Sequence, residues 1–384
     1  MIKNQLAYAE ETNAVKQIWH MCFDDPSEFT AWYFENKYEP ENTLVVRGDG
    51  PPFAALQMLP MEILLRDTAC KTGFIVGVST LPEHRGKGYA TSLMKDAFGL
   101  MRERGMAFSS LYPVRYDFYR RLGYEVNSGI QRYQMFIKDI DSVHIPEGYS
   151  YELSVKDANG IGRLYREFIG RYSGGILRGD EQWDLKLSEL ALDGKIVVAK
   201  QGLIVHGYAM CAVEKGVLTA FEVVYRDQGA LHALIKGMQQ IHGGKAVLYL
   251  PSDSMLYGLL DNGRDTAYVE PFGMLRVLDV SLALNGMQAG VTQNMDIQIR
   301  LHDELAPWNE GTFALCASNG KFQVEKGSTA ELEVDIGGFT QLVCGFLTAE
   351  QLVATGRMAC SSADALRRAG ALFPRKETLM FDKW

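Results

Sequence analysis

The stretch from Val76 to Met94 reads VGVSTLPEHRGKGYATSLM, and it decides the fold. An apolar strand, a proline-containing turn, the string Arg85-Gly86-Lys87-Gly88-Tyr89-Ala90 and a helix follow one another. Gly86 and Gly88 remove side chains where backbone N–H groups must approach a bulky anion, and the free N–H groups and dipole at the helix start favour negative charge. Arg85 and Lys87 add positive charge. The dipole is worth roughly 0.3–1 kcal/mol per charge, so several N–H bonds acting together must supply most of the hold. A pyrophosphate suits such a cradle.

Outward from this loop the pattern is mixed α/β. Residues Ala14 to Phe34 read as helical with a break near Pro26. Leu44 to Arg47, Phe53 to Met61 and Cys70 to Ser79 read as strands from their apolar and β-branched runs. Ala90, Leu93, Met94, Ala97, Phe98 and Met101 recur at helical spacing, and Gly105 supplies the stop. A strand from Ala107 to Tyr112, a short helix from Tyr116 to Leu122 and a strand from Tyr124 complete the section.

A second section repeats this order in weaker form. FEVVYRDQGALHALIKGMQQIHGGKAVLYLP, from Phe221 to Pro251, gives strand, turn, helix, glycine stop and strand. Its turn is shorter and lacks the Arg-x-x-Gly-x-Ala spacing. In a third section Asp296 to Leu301, Gly311 to Cys316 and Ala330 to Ile336 alternate like strands, and Phe339 to Cys344 and Ala363 to Ala371 read as helices, an α+β arrangement. The expected boundaries are 1–148, 149–284 and 285–384.

Composition narrows the function classes. The 384 residues are 47% apolar and 22% charged, and no run approaches the ~20 apolar residues of a membrane span. A net charge of −8 argues against extended nucleic-acid binding. The N-terminal stretch lacks an apolar signal segment, so a cytoplasmic location is expected. Six cysteines are scattered singly, without a C-x-x-C pair, and no metal is expected.

The loop's placement between strand and helix resembles the acetyl-CoA loop of the GNAT superfamily of N-acetyltransferases. Phe118-Tyr119-Arg120-Arg121-Leu122-Gly123-Tyr124 resembles that superfamily's Phe-Tyr-x-x-x-Gly-Tyr/Phe signature. The resemblance implies that Val78, Ser79, Thr80, Arg85, Gly86, Lys87, Gly88, Tyr89 and Ala90 hold acetyl-CoA. It also implies direct transfer to an amine, with an N–H near Val78 on the oxyanion where the strand splays. Tyr119, with an ordinary phenol pKa near 10, is the matching general acid, or else a tyrosine packed over the cofactor.

Over essentially the full chain the layout resembles the enhanced intracellular survival (Eis) acetyltransferases: two tandem GNAT-like mixed-sheet domains followed by a sterol-carrier-protein-like α+β domain. That family acetylates amines of aminoglycosides, assembles as hexamers and uses its terminal carboxylate as general base, here that of Trp384. The apolar run Leu379-Met380-Phe381 suits a docked end. A polycationic small-molecule amine needs acidic neighbours, and Asp24, Asp25 and Asp382 are candidates, although Asp24-Asp25 reads equally well as a helix-ending turn. The alternative is a non-enzymatic acyl-CoA or lipid-binding protein using the third section.

Overall fold

The computed structural model describes residues 2–140, 143–154, 158–254, 256 and 265–383. The described chain divides into two compact units that do not follow chain order. The described residues within 2–127, 273–376 and 382–383 form one, and those within 128–272 and 377–381 form the other.

The first unit opens with β1 (Lys3–Leu6), α1 (Thr12–Cys22), α2 (Ser27–Asn36), β2 (Thr43–Arg47), β3 (Ala54–Leu65) and β4 (Thr68–Thr80). The helical break expected near Pro26 falls there, since Pro26 precedes the first residue of α2. Next come α3 (Tyr89–Glu103), β5 (Phe108–Leu111), α4 (Tyr116–Arg120) and β6 (Glu125–Val126). The apolar stripe of α3, Leu93, Met94, Ala97, Phe98 and Met101, is buried against sheet residues such as Leu56, Met58 and Ile75. β3 pairs antiparallel with β4, and β4 pairs parallel with β5 across the α3 crossover.

The second unit begins at β7 (Gly129–Phe136) and β8 (Tyr149–Glu152). It continues through α5 (Ala158–Ile169), β9 (Gly175–Leu177), α6 (Asp180–Asp193), β10 (Gly194–Gln201), β11 (Ile204–Glu214) and β12 (Val217–Tyr225). It ends with α7 (Gln228–Ile241), β13 (Lys245–Pro251) and β14 (Thr266–Pro271). Its sheet runs β14-β7-β13-β12-β11-β10-β8. The antiparallel β10–β11–β12 meander, the α7 crossover and parallel β13 repeat the β2–β3–β4, α3, β5 pattern of the first sheet. A bidentate ion pair is buried inside: Arg178 holds Glu222 at 2.6 and 2.8 Å, and Tyr208 donates to the same carboxylate at 2.6 Å. The run Leu379-Met380-Phe381 is buried in this unit, where Leu379 N–H donates to the Ser173 carbonyl at 3.1 Å.

The chain then returns to the first unit through β15 (Met274–Val277), which pairs with both β5 and β6, so that the order along the sheet is β1-β2-β3-β4-β5-β15-β6. Chain order alone would leave β7 with the first sheet and β15 with the second. After α8 (Val280–Leu284) come β16 (Met295–His302), β17 (Gly311–Ser318), β18 (Lys321–Lys326) and β19 (Leu332–Asp335). α9 (Ile336–Cys344), α10 (Ala349–Ala354), β20 (Met358–Cys360) and α11 (Ala363–Leu372) close the section. Its sheet runs β18-β17-β16-β19-β20, with Ile297, Ile299 and Leu301 of β16 turned inward as their alternation requires. Every residue of α9 is buried, and the buried Arg66 closes the helix's C-terminal end by donating to the carbonyls of Val343 (2.7 Å) and Leu342 (2.9 Å). Among the described residues no helix is long and apolar enough to cross a membrane.

Candidate active site

The site grows out of the far end of β4. Pairing of β4 with β5 stops at Phe74 and Ser110, yet β4 runs on to Thr80, so the two strands part there. On its other side Ala55 faces Ser79 and Gln57 faces Val76, which leaves Leu56 opposite both Gly77 and Val78. This is a β-bulge, and its first residue, Gly77, has φ +63°, a conformation glycine adopts without penalty. The bulge interrupts the ladder at Val78, near which the family resemblance implies the oxyanion donor.

From Thr80 the chain crosses to α3 through a loop tied to the sheet: Leu81 N–H donates to the Phe53 carbonyl at 2.9 Å, and His84 stacks on the Phe53 ring at 4.1 Å. His84 is thereby part of the loop's anchor. Gly86 and Gly88 have φ +76° and +80°, and a Cβ added at either would meet nothing within 4 Å. Gly88 caps α3 without a side-chain hydrogen bond, and the first helical acceptor, its carbonyl, is used by Ser92 N–H at 3.0 Å. The N–H groups of Tyr89, Ala90 and Thr91 therefore precede the helical ladder.

A cavity of about 430 Å³ opens on this corner. It is lined by all nine residues that the family resemblance implies for the cofactor: Val78, Ser79, Thr80, Arg85, Gly86, Lys87, Gly88, Tyr89 and Ala90. Arg85 Nε donates to the Thr80 carbonyl at 3.0 Å, and its Nη2 lies 3.6 Å from Cys22 Sγ. Arg115 brings a third permanent cation to the lining, and none of the described lining residues is acidic. Open helix N–H groups, two glycines facing free space and three cations together fit a pyrophosphate.

The remaining candidates stand in different relations to this cavity. Tyr119 follows the lining residue Phe118, whose ring it meets edge-on at 5.0 Å, and it packs against Tyr124 at 5.9 Å. Burial pushes its phenol up to about 12, above the ordinary value near 10, so it keeps its proton throughout the neutral range. Asp24 and Asp25 are exposed and follow the lining residues Cys22 and Phe23. The Asp25 carboxylate accepts from Trp19 Nε1 at 2.9 Å, which ties it into the turn between α1 and α2. Asp382 is buried, at 2% exposure, and is not among the lining residues. Trp384 lies outside the described residues.

Cys22, Phe23, Thr91, Arg115 and Phe118 also line the cavity without having been singled out as cofactor residues in the sequence. Phe118 could have been found, because it opens the Phe-Tyr-x-x-x-Gly-Tyr string. Arg115 carried no signal beyond standing ahead of a short helix.

Residues 5–127 match the acetyltransferase (GNAT) domain, and residues 280–381 match the sterol carrier protein domain. No curated protein matches the sequence. Among solved structures the chain is similar to a GCN5-related N-acetyltransferase from Anabaena variabilis ATCC 29413, with 23% identity, TM-score 0.87 and all of both chains covered. It is similar to a conserved protein from Enterococcus faecalis V583 described as a probable N-acyltransferase, with 21% identity, TM-score 0.88 and full coverage of both chains. Eis1 from Mycobacterium abscessus is also similar, with 18% identity, TM-score 0.78 and full coverage of both chains. The chain therefore carries a GNAT acetyltransferase domain at its N-terminal end and a sterol-carrier-like domain at its C-terminal end, a fold that supports acyl transfer.

Proposed function

We propose that the protein is an acetyl-CoA-dependent N-acetyltransferase of the Eis-like kind, acting on amine groups, with aminoglycosides or other polycationic amines as acceptors. The observation that carries this reading is the cavity at the start of α3, which gathers nine loop and strand residues around open N–H groups and the cations Arg85 and Lys87, with Arg115, paired to Asp117, at its edge. Acetyl-CoA would supply the acetyl group there as an activated thioester.

In this reading Arg85, Lys87 and the N–H groups of Gly88, Tyr89 and Ala90 hold the pyrophosphate. The bulge presents Val78 N–H to the oxygen on which charge develops as a neutral amine attacks, which is electrostatic stabilisation by a fixed dipole. Tyr119 returns a proton to the departing thiolate, a role supported by its protonated state and by its place next to Phe118. Asp24 and Asp25, exposed beside the cavity's Cys22–Phe23 edge, would draw a cationic acceptor, with Asp25 also held by Trp19. The contribution of Asp382 rests on its charge in the sequence, and the base role of the Trp384 carboxylate and assembly into a homo-hexamer rest on the family resemblance.

The test is thiol release from acetyl-CoA against a panel of aminoglycosides, polyamines and simple primary amines. Turnover with at least one amine is expected, and Tyr119→Phe should lower kcat by about 10²-fold or more while leaving coenzyme A affinity intact. Absence of turnover with every amine would remove the acetyltransferase reading.

A further inference from the structure

The bulge that carries Val78 is gripped from the α1–α2 side by side chains to which the chemistry above gives no task. Gln57, on β3, pairs with Val76, the residue just before the bulge. Its side chain is 1% exposed, and its Oε1 accepts from Tyr33 Oη at 2.5 Å. Its Nε2 has no hydrogen-bond partner among the described residues. A Cβ built on Gly77 would lie 3.1 Å from that Nε2 and 2.7 Å from the Trp19 ring, so amide and indole both close on the glycine.

The grip is itself braced. Tyr33 stacks on Trp19 at 4.8 Å, Asp25 accepts from Trp19 Nε1 at 2.9 Å, and Ser79 Oγ donates to the Gly77 carbonyl at 3.0 Å. Ser79, read from the sequence as a cofactor contact, thus also fastens the bulge. Burial, with Tyr38 and Glu39 adding to it, pushes the Tyr33 phenol far above its ordinary value, so this donor to Gln57 survives at any working pH. A buried amide with an unmet donor is costly, and an apolar side chain of the same length would fill the position without that cost. At this point in the fold the amide lies beside the residue whose conformation sets the direction of Val78 N–H.

We propose that Gln57, anchored by Tyr33 and backed by Trp19, is a positioning residue for acyl transfer that fixes the Gly77–Val78 bulge and so aims the Val78 N–H. The inference rests on the reading of Val78 as the oxyanion donor. It also gives Asp25 a second route to the reaction, since Asp25 holds the indole that closes on Gly77.

Two full-length variants test it: Gln57→Met, which keeps length and removes the amide, and Tyr33→Phe, which keeps the amide and cuts its anchor. Steady-state thiol release, coenzyme A binding and amide hydrogen exchange are measured on each. The expected kcat falls by about 10-fold or more, because small misplacements of a reacting group are costly, while KM for acetyl-CoA and coenzyme A affinity stay within about 2-fold. Exchange of the amides from Val76 to Thr80 should accelerate about 10-fold with that of α3 unchanged. A kcat at the wild-type level, a KM that rises in step, or unchanged exchange at the bulge would overturn the proposal. If the wild-type chain acetylates no amine, acyl transfer itself falls, and the exchange measurement alone decides whether Gln57 clamps the bulge. Should Gln57→Met fail to fold, Tyr33→Phe carries the same three readouts.

Discussion

The starts of α3 and α7 occupy matching places in two sheets built on the same strand pattern, yet they present opposite chemistry. Between β4 and α3 lie eight residues, Leu81 to Gly88, with two positive-φ glycines and an uncapped helix end beside Arg85 and Lys87. Between β12 and α7 lie two, Arg226 and Asp227, and the Asp227 carboxylate itself caps the helix by accepting from Ala230 N–H at 2.9 Å. Burial tends to raise that carboxyl, but hydrogen bonds from Ala230 N–H, His206 and Tyr149 hold it below its usual range. One helix start is left open for an anion, and the other carries its own.

The third strands differ in the same sense. Both have a bulge, at Gly77–Val78 in β4 and at Phe221 in β12. In the first, a positive-φ glycine leads into Val78, which lines the cavity. In the second, the adjacent Glu222 is locked by Arg178 and Tyr208 in the interior. Repeating a fold does not repeat a site, because the site depends on a loop insertion and two glycines that the fold tolerates but does not demand.

The comparison breaks most visibly at Glu222. Burial alone would raise its carboxyl, but Arg178, together with Lys186 and the Tyr208 hydroxyl, holds it well below the usual carboxylate range. A depressed carboxyl contributes stability above its unfolded pKa of about 4.3, and that stability is lost as pH falls through the lower folded value. Glu222→Ala should therefore destabilise the protein at pH 7 by about 3–5 kcal/mol, because it leaves Arg178 buried and unpaired, and should shrink the acid-induced loss below about pH 4. Urea unfolding checks both. Coenzyme A affinity should be unchanged, since the pair belongs to the unit without the loop.

A smaller effect sharpens the contrast between helix starts. Asp227→Ala removes one cap and should cost about 1 kcal/mol in urea unfolding. It should add no coenzyme A affinity, because freeing the N–H groups does not supply the glycines and cations of the longer loop. The smallest effect is in the pH profile. A general acid loses activity as pH rises through its pKa, so with Tyr119 at about 12 the kcat should hold level to about pH 10. A half-maximal rate near pH 10 would instead mark an ordinary phenol.

Much of the first section was legible. The run from Val76 to Gly105 gave strand, loop, helix and stop within a residue or two, because apolar spacing and glycine both act locally. The expected strand from Tyr124 shrank to Glu125–Val126, and the phenol of Tyr119 departs from the ordinary value the sequence suggested because its packing was not visible. The exchange of Gly129–Phe136 and Met274–Val277 between sheets was not legible either. Alternation records which side chains are buried and carries no address for the strand that will lie alongside. Gln57 was hidden for a similar reason: in sequence it is one polar residue in an apolar strand, and only the approach of Tyr33, Trp19 and Gly77 gives it a task.

The central claim, that the open start of α3 is the anion site, is tested most directly by titrating coenzyme A into the wild-type chain and into Gly88→Asp. That substitution places a carboxylate at the α3 cap, as Asp227 does at α7. Binding of one coenzyme A per chain, weakened by about 100-fold or more in the variant with stability lowered only by the ~1–2 kcal/mol that a non-glycine residue costs at positive φ, is the predicted result. Equal affinity in the two proteins would contradict the account.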